Sequence, residues 1–146
     1  MSKAESAELI LKLYELRREP TMREARNWIL TFFPESAADV MQAMISPDTS
    51  AYYRMVVSYW DMAASLVNHG AIDEEMFADS HGEHIMVFSK IEPFLAELRE
   101  TMGSPKMLAS LEKLIMKMPD AKEMLVGRRE MMKRMVEARR EMEKNA

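Results

Sequence analysis

The sequence contains no cysteine, and it has only four glycines and six prolines among 146 residues. The lack of cysteine excludes disulfides, thiol nucleophiles, cysteine-ligated zinc and iron–sulfur clusters, and it favours a cytoplasmic location. The first residues lack the basic region and apolar run of a signal peptide, so we expect an ordinary helix there. Because 48% of the residues are hydrophobic and 30% are charged, the composition indicates a folded, helix-rich protein.

The sequence also lacks the common motifs of catalysis and cofactor binding. It has no G-x-S-x-G nucleophile elbow and no glycine-rich phosphate loop, so we predict no catalytic residue and no cofactor. These absences make an enzyme the less favoured interpretation. It stays an alternative because acid/base sites built from Asp, Glu and His leave little trace in one sequence. The formal net charge of −4 does not favour nucleic acid as a partner.

Apolar residues recur at helical spacing along the whole chain, and no segment alternates as a half-buried strand would. We therefore predict an all-α fold, a single-domain bundle of six to eight helices with a long methionine-rich C-terminal helix. Prolines and potential caps mark the expected boundaries, and Pro93 is expected to bend one long helix. The predicted starts and ends are Thr21, Pro34, Ser36, Gly70, Asp73, Gly103, Ser104, Pro105, Pro119 and Asp120.

The segment from Thr49 to His69 has two apolar stripes and one narrow polar line, which predicts a central helix with Trp60 buried. The polar line contains Arg54, Ser58, Asp61, Ser65 and Asn68. We favour a core helix with one solvated edge. In the alternative interpretation, Arg54 and Asp61 face a cleft and orient a ligand. A transmembrane helix is disfavoured because both charges would lie inside the span.

All three histidines lie within the stretch NHGAIDEEMFADSHGEH, residues 68–84. His81 and His84 could share a helical face and bind a metal together with Asp79, and His69 is a further candidate ligand. However, the H-x-x-H pair lacks the partners of known zinc and di-iron motifs. We therefore favour exposed histidines at helix ends, with the nearby acidic residues acting as caps.

The chain has 17 methionines, many of them in the last segment. Methionines recur there at coiled-coil spacing, with Arg128 at the one interrupted position. We predict that this seam packs on the chain's own body or on a second copy; binding of varied peptides or of a membrane surface is the alternative. We divide the chain into a body, 1–119, and an amphipathic helix, 120–146, that is part of the same domain or an oligomerisation arm. The predicted interaction residues are Met124, Arg128, Met131, Met135 and Met142.

Residues 50–100, with YYRMVVSYWDMAASLVNHGAIDEEMF followed by spaced apolar positions and PFLAELR, resemble a bacterial helical domain family of unknown function. Members of that family are found as soluble chains and behind a membrane anchor. The resemblance implies an aromatic helix, a Gly-Ile-Asp-Glu-like turn, a short helix and a longer helix. Here the turn is Gly70-Ala71-Ile72-Asp73-Glu74, and we see no preceding anchor. The resemblance implies no catalytic residues.

These observations favour a non-catalytic cytoplasmic interaction module that associates with itself or with another helical protein. Membrane association through the C-terminal helix is a lesser alternative. The competing hypothesis is a metal-dependent enzyme or a small-ligand-binding bundle that uses the segment from His69 to His84.

Overall fold

The computed structural model describes residues 2–146, and the regular secondary structure of this part of the chain is all helical, with no strand. The helices are α1 (Lys3–Arg17), α2 (Pro20–Leu30), α3 (Ala37–Ile45), α4 (Ser50–Asn68), α5 (Glu74–Ser80), α6 (Glu83–Ile91), α7 (Leu95–Thr101), α8 (Ala109–Met116) and α9 (Ala121–Lys144). A 3₁₀ turn at Glu92–Phe94 joins α6 to α7. The predicted all-α class is therefore confirmed.

The path from α6 to α7 is the long helix that the sequence predicted, interrupted where expected. Pro93 lies in the 3₁₀ turn, because its ring leaves no backbone N–H to continue the α-helical hydrogen bonds. Counted as one interrupted helix, this path gives eight helices over residues 2–146, within the predicted six to eight.

Helix α4 lies at the centre of the fold, between α2 and α8, and α3 also packs on it. Its Val56, Trp60 and Ala63 are completely buried, which confirms the predicted central position of Trp60. A helix buried on most of its circumference needs apolar residues on several faces, and the two stripes of α4 provide them. Helix α9 packs along α6 on the outside of this core.

Several predicted helix boundaries are confirmed. The Ser36 hydroxyl accepts a hydrogen bond from the Asp39 amide, and the Asp73 carboxylate accepts one from the Met76 amide. Gly70 follows α4 with φ of +80°, the left-handed conformation that glycine adopts without strain. Thr21, in contrast, is not a cap. Helix α2 begins at Pro20, before Thr21. Its N-cap is Glu19, whose carboxylate accepts a hydrogen bond from the Met22 amide at 2.8 Å.

The predicted start of α8 at Ser104 and Pro105 is wrong. The helix begins at Ala109, directly after Leu108, which has a φ of +53°. This conformation is unfavourable for a leucine, but its side chain is buried in the core, and that burial offsets the backbone strain. Asp120, with φ of +52°, precedes α9 in the same way, and its side chain makes no capping bond.

The polar line of α4 divides into two parts. Arg54 and Ser58 are exposed and bond only to backbone carbonyls of their own helix. Asp61 and Asn68 instead face α8, where the Asp61 carboxylate accepts from the Leu111 amide at 3.0 Å and Asn68 donates to a backbone carbonyl. Asp61 thus supplies the cap that Leu108 cannot give α8. Arg54 and Asp61 therefore make separate contacts, one on the exposed edge of α4 and the other with α8.

None of the helices formed by residues 2–146 combines the length and the apolar character that crossing a membrane would require.

We predict that Asp61→Ala lowers the free energy of unfolding by about 1 to 2 kcal/mol, because the Leu111 amide in the first turn of α8 loses its acceptor. Asp48→Ala is the matched control, since Asp48 is an exposed loop residue, and it should change stability little. Urea unfolding followed by circular dichroism measures both. Equal stabilities for the two variants would show that Asp61 does not cap α8.

Candidate functional site

The carboxylate of Glu83, in the first turn of α6, is bound by side chains from two other helices. Arg26 of α2 donates to it through Nε and Nη2 at 2.9 to 3.1 Å. Trp60 of α4 donates through its indole N–H at 2.9 Å. The position of Glu83 at the positive end of α6 is also favourable for a carboxylate. One side chain therefore joins α2, α4 and α6.

His81 lies two residues before Glu83, inside a cluster of aromatic side chains. Its ring stacks on Phe77, with centroids 4.4 Å apart and planes inclined by 6°. Tyr14 and Trp60 approach the same ring at 4.9 and 5.6 Å. The Arg17 guanidinium completes the cluster, 4.1 Å from the Tyr14 ring centre. These contacts bring together α1, α4 and the end of α5.

The preference for exposed histidines is wrong for His81 and His84. Only 7% of His81 and 4% of His84 remain accessible. Tyr14 of α1 and Trp60 of α4 cover them from remote parts of the sequence, which local spacing does not reveal, and Phe77 of the neighbouring α5 packs on both. His69 is exposed at the end of α4, and its Nδ1 lies 2.9 Å from the Ser65 carbonyl oxygen.

The four candidate metal ligands do not form a common cluster. Asp79 is exposed on α5, and His69 lies at the end of α4, while His81 and His84 are buried beside Trp60. Over residues 2–146, no group of three or more His, Asp or Glu side chains is arranged to hold a metal ion.

Burial keeps both inner histidines in the neutral form. Burial, with smaller contributions from the neighbouring His81 and Arg128, lowers the pKa of His84 to about 3. For His81, burial is again the largest cause of a lowered pKa, and the Arg17 charge adds to it. Neutral imidazoles each have one N–H donor and one acceptor nitrogen, so they can bind a polar group without adding charge.

A pocket of about 430 Å³ lies beside these histidines, between the α5–α6 segment and the α8–α9 segment. We call it the histidine pocket. Most of its wall is apolar, and its polar groups are the two imidazoles, Arg128 and an ion pair at the rim. The residues that define it are Phe77, His81, His84, Ile85, Leu114 and Arg128.

The predicted interaction residues of α9 lie in three different environments. Met124 packs against the core, and Arg128 lines the histidine pocket. Met131, Met135 and Met142 are 41%, 58% and 73% exposed. The seam that the spacing predicted is therefore only partly in contact with the body.

Sequence reasoning missed Lys90, which is buried although it carries a charged group. Its amino group donates to the carbonyl oxygens of Ile29 and Leu30 at the end of α2, and it lies 4.0 Å from the centre of the Phe33 ring. Burial lowers its pKa to about 7. Lys90 satisfies carbonyls that α2 leaves free, so its role is explained by the fold. No local signal marks it, because α2 is some sixty residues away.

Comparison with known proteins identifies a family but no activity. The family model described as "Domain of unknown function (DUF4760)" matches residues 3–118, which include α1 to α8. No curated protein and no solved structure gives a significant match. Helix α9, with Arg128 and the exposed methionines, lies beyond the matched residues.

We predict that Glu83→Gln destabilises the fold by about 2 to 4 kcal/mol, because the partly buried Arg26 guanidinium loses its counter-charge. Glu75→Gln, an exposed change on α5, is the control and should have little effect. Chemical unfolding of the two variants and the wild type gives the comparison. A cost for Glu83→Gln no greater than that of the control would contradict the joining role of this carboxylate.

We also predict acid sensitivity from His84. Its folded pKa of about 3 lies below the value near 6.5 expected when unfolded, so the unfolded chain binds more protons between these values. The free energy of unfolding therefore falls as the pH drops below 6.5, and at pH 5 His84 accounts for a loss on the order of 2 kcal/mol. His84→Leu should flatten the pH dependence of the free energy of unfolding. Identical pH profiles for the wild type and His84→Leu would refute the assignment.

Proposed function

We propose that this chain, which belongs to the DUF4760 family, is a non-catalytic interaction module that pairs with a second copy of itself through α9. The observation that carries the proposal is the exposed methionine face at the C-terminal end of this helix. We place the module in the cytoplasm, in keeping with its lack of cysteine.

The two ends of α9 contact the body very differently. Ala121 and Leu125 are buried, and Met132 still packs against the core. From residue 137 onward every side chain is exposed. An isolated helical segment of this length is only marginally stable in water, so contact with another surface would stabilise it. A second copy offers an identical unpaired surface.

The exposed face has the spacing of a helix-pairing seam. Met131, Met135, Ala138 and Met142 follow one another at steps of four, three and four, so they lie on one stripe of α9. Leu125 and Met132, which contact the body, lie on an adjacent stripe, and the methionine stripe itself lies against the body only in its earlier part, at Met124 and Arg128. The helix can therefore keep its packing on α6 while the methionine stripe pairs with a second molecule.

The charges beside the stripe favour antiparallel pairing. If Met135 of one copy lies opposite Ala138 of the other, Arg134 of each copy lies next to Glu141 of the other. The symmetric dimer then contains two such ion pairs. A parallel arrangement would instead bring Arg134 close to Arg139, which is repulsive. Complementary charge thus supports a second copy as the partner and fixes its direction.

A charge-exchange experiment tests the proposed pairing. We expect wild-type protein to be a dimer at micromolar concentration, measured by light scattering and sedimentation. Arg134→Glu should yield monomers because two glutamates would then face each other, and Glu141→Arg should do the same with two arginines. An equimolar mixture of the two variants should restore a dimer, because both cross-pairs again have opposite charges.

The control is Glu123→Arg, an exposed change in the part of α9 that packs on the body, and it should remain dimeric. A monomeric wild-type protein, or single variants that dimerise as well as the wild type, would refute this pairing. A mixture that stays monomeric would refute the antiparallel register.

A further inference from the structure

We propose that the histidine pocket binds a small carboxylate with an apolar body. This proposal is independent of self-association, because the pocket lies on the body side of α9 and its walls come from a single chain.

The dimensions and lining of the pocket suit such a molecule. A volume of about 430 Å³ lies within the range of small-molecule sites in proteins. Phe77, Ile85, Leu114 and Met118 form an apolar wall on which an alkyl chain or aromatic ring could pack. A mostly apolar cavity with a few polar groups at one side is the usual form of a ligand site.

Arg128 supplies a positive charge that the protein does not balance. No carboxylate of residues 2–146 lies within 4.0 Å of its guanidinium, whose hydrogen bond goes to the Gly82 carbonyl oxygen at 3.5 Å. Arginine is well suited to a carboxylate because its planar donors can bond to both oxygens. The partly buried position of Arg128 strengthens the attraction, since water screens it less.

His84 supplies a hydrogen-bond donor beside Arg128. Of its two ring nitrogens, only Nδ1 is both fully buried and without a partner, so Nε2 is on the accessible edge of the ring. A buried N–H without an acceptor costs more free energy than a buried lone pair without a donor. Nδ1 is therefore the nitrogen with the lone pair, and the hydrogen of the neutral ring is on Nε2. The N–H of His84 and the guanidinium of Arg128 thus offer donors to the same anion.

The other charges of the pocket are already paired. Lys117 bonds to Glu74 at the rim. The nearby Glu83 carboxylate does not line the pocket, and it is held by Arg26 and Trp60. The unbalanced charge at the pocket is therefore positive, which favours an anion over a cation. A metal ion would meet two histidines, an arginine and a Glu74 carboxylate already paired with Lys117, a poor set of ligands.

Isothermal titration calorimetry of the full-length protein with three probes of equal chain length tests the charge preference. We expect octanoate to bind at one site per chain, octan-1-ol to bind at least tenfold more weakly, and octylamine to give no saturable binding. Absence of octanoate binding, or equal affinity for octanoate and octylamine, would overturn the proposal.

Two variants locate the binding site. Arg128→Met keeps a long helix-forming side chain but removes the charge, and it should weaken octanoate binding at least tenfold with little effect on octan-1-ol. Lys122→Met removes an exposed charge from the same helix and should bind octanoate as the wild type does. Ala78→Trp, at an exposed position on the pocket wall, should block both probes without altering the core.

Circular dichroism and thermal unfolding establish that each variant is folded, and the Ala78→Trp result locates the site even if Arg128→Met does not fold. Wild-type affinity for octanoate in folded Ala78→Trp would place the probe elsewhere and overturn the assignment to this pocket. If Lys122→Met and Arg128→Met weakened octanoate binding equally, the probe would be attracted to the basic helix in general. That result would also overturn the assignment to this pocket.

Discussion

The hydrogen bonds that Glu83 accepts from Arg26 and Trp60 hold together the part of the structure on which the rest depends. They fix the start of α6 against α2 and against the centre of α4. His84 is the next residue in the chain, so the same bonds set its position beside Trp60 and at the wall of the pocket. A partly buried carboxylate stabilises the fold only while its hydrogen-bond donors stay in place, because without them its buried charge is unpaired. Movement of α2 or α4 would therefore reach the histidine pocket directly.

Helix α9 has a different role along each part of its length. Its first turns pack on α6 and cover the core through Leu125, and the following turn places Arg128 at the histidine pocket. Its last turns run beside the end of α2, have exposed side chains and carry the methionine stripe. Since the family match ends at residue 118, the charge of the pocket and the proposed pairing surface both come from beyond the shared domain.

The sequence predicts the fold wherever the physical cause is local. The apolar stripes of α4 indicate burial of Trp60, and the caps at Ser36 and Asp73 follow from short-range side-chain chemistry. The site depends on contacts between remote residues. Arg26 and Glu83 are 57 positions apart, and no local pattern pairs them. The left-handed Leu108 was also missed, because that conformation is expected of glycine and here is compensated by burial in the core.

The central claim is that the first part of α9 belongs to the body and the last part requires a second molecule. Hydrogen–deuterium exchange at two protein concentrations, one below and one above the dimerisation range, tests it most directly. The amides of residues 125–132 should be protected at both concentrations, whereas those of residues 137–144 should become protected only at the higher one. Protection of residues 137–144 that is the same at both concentrations would contradict the claim.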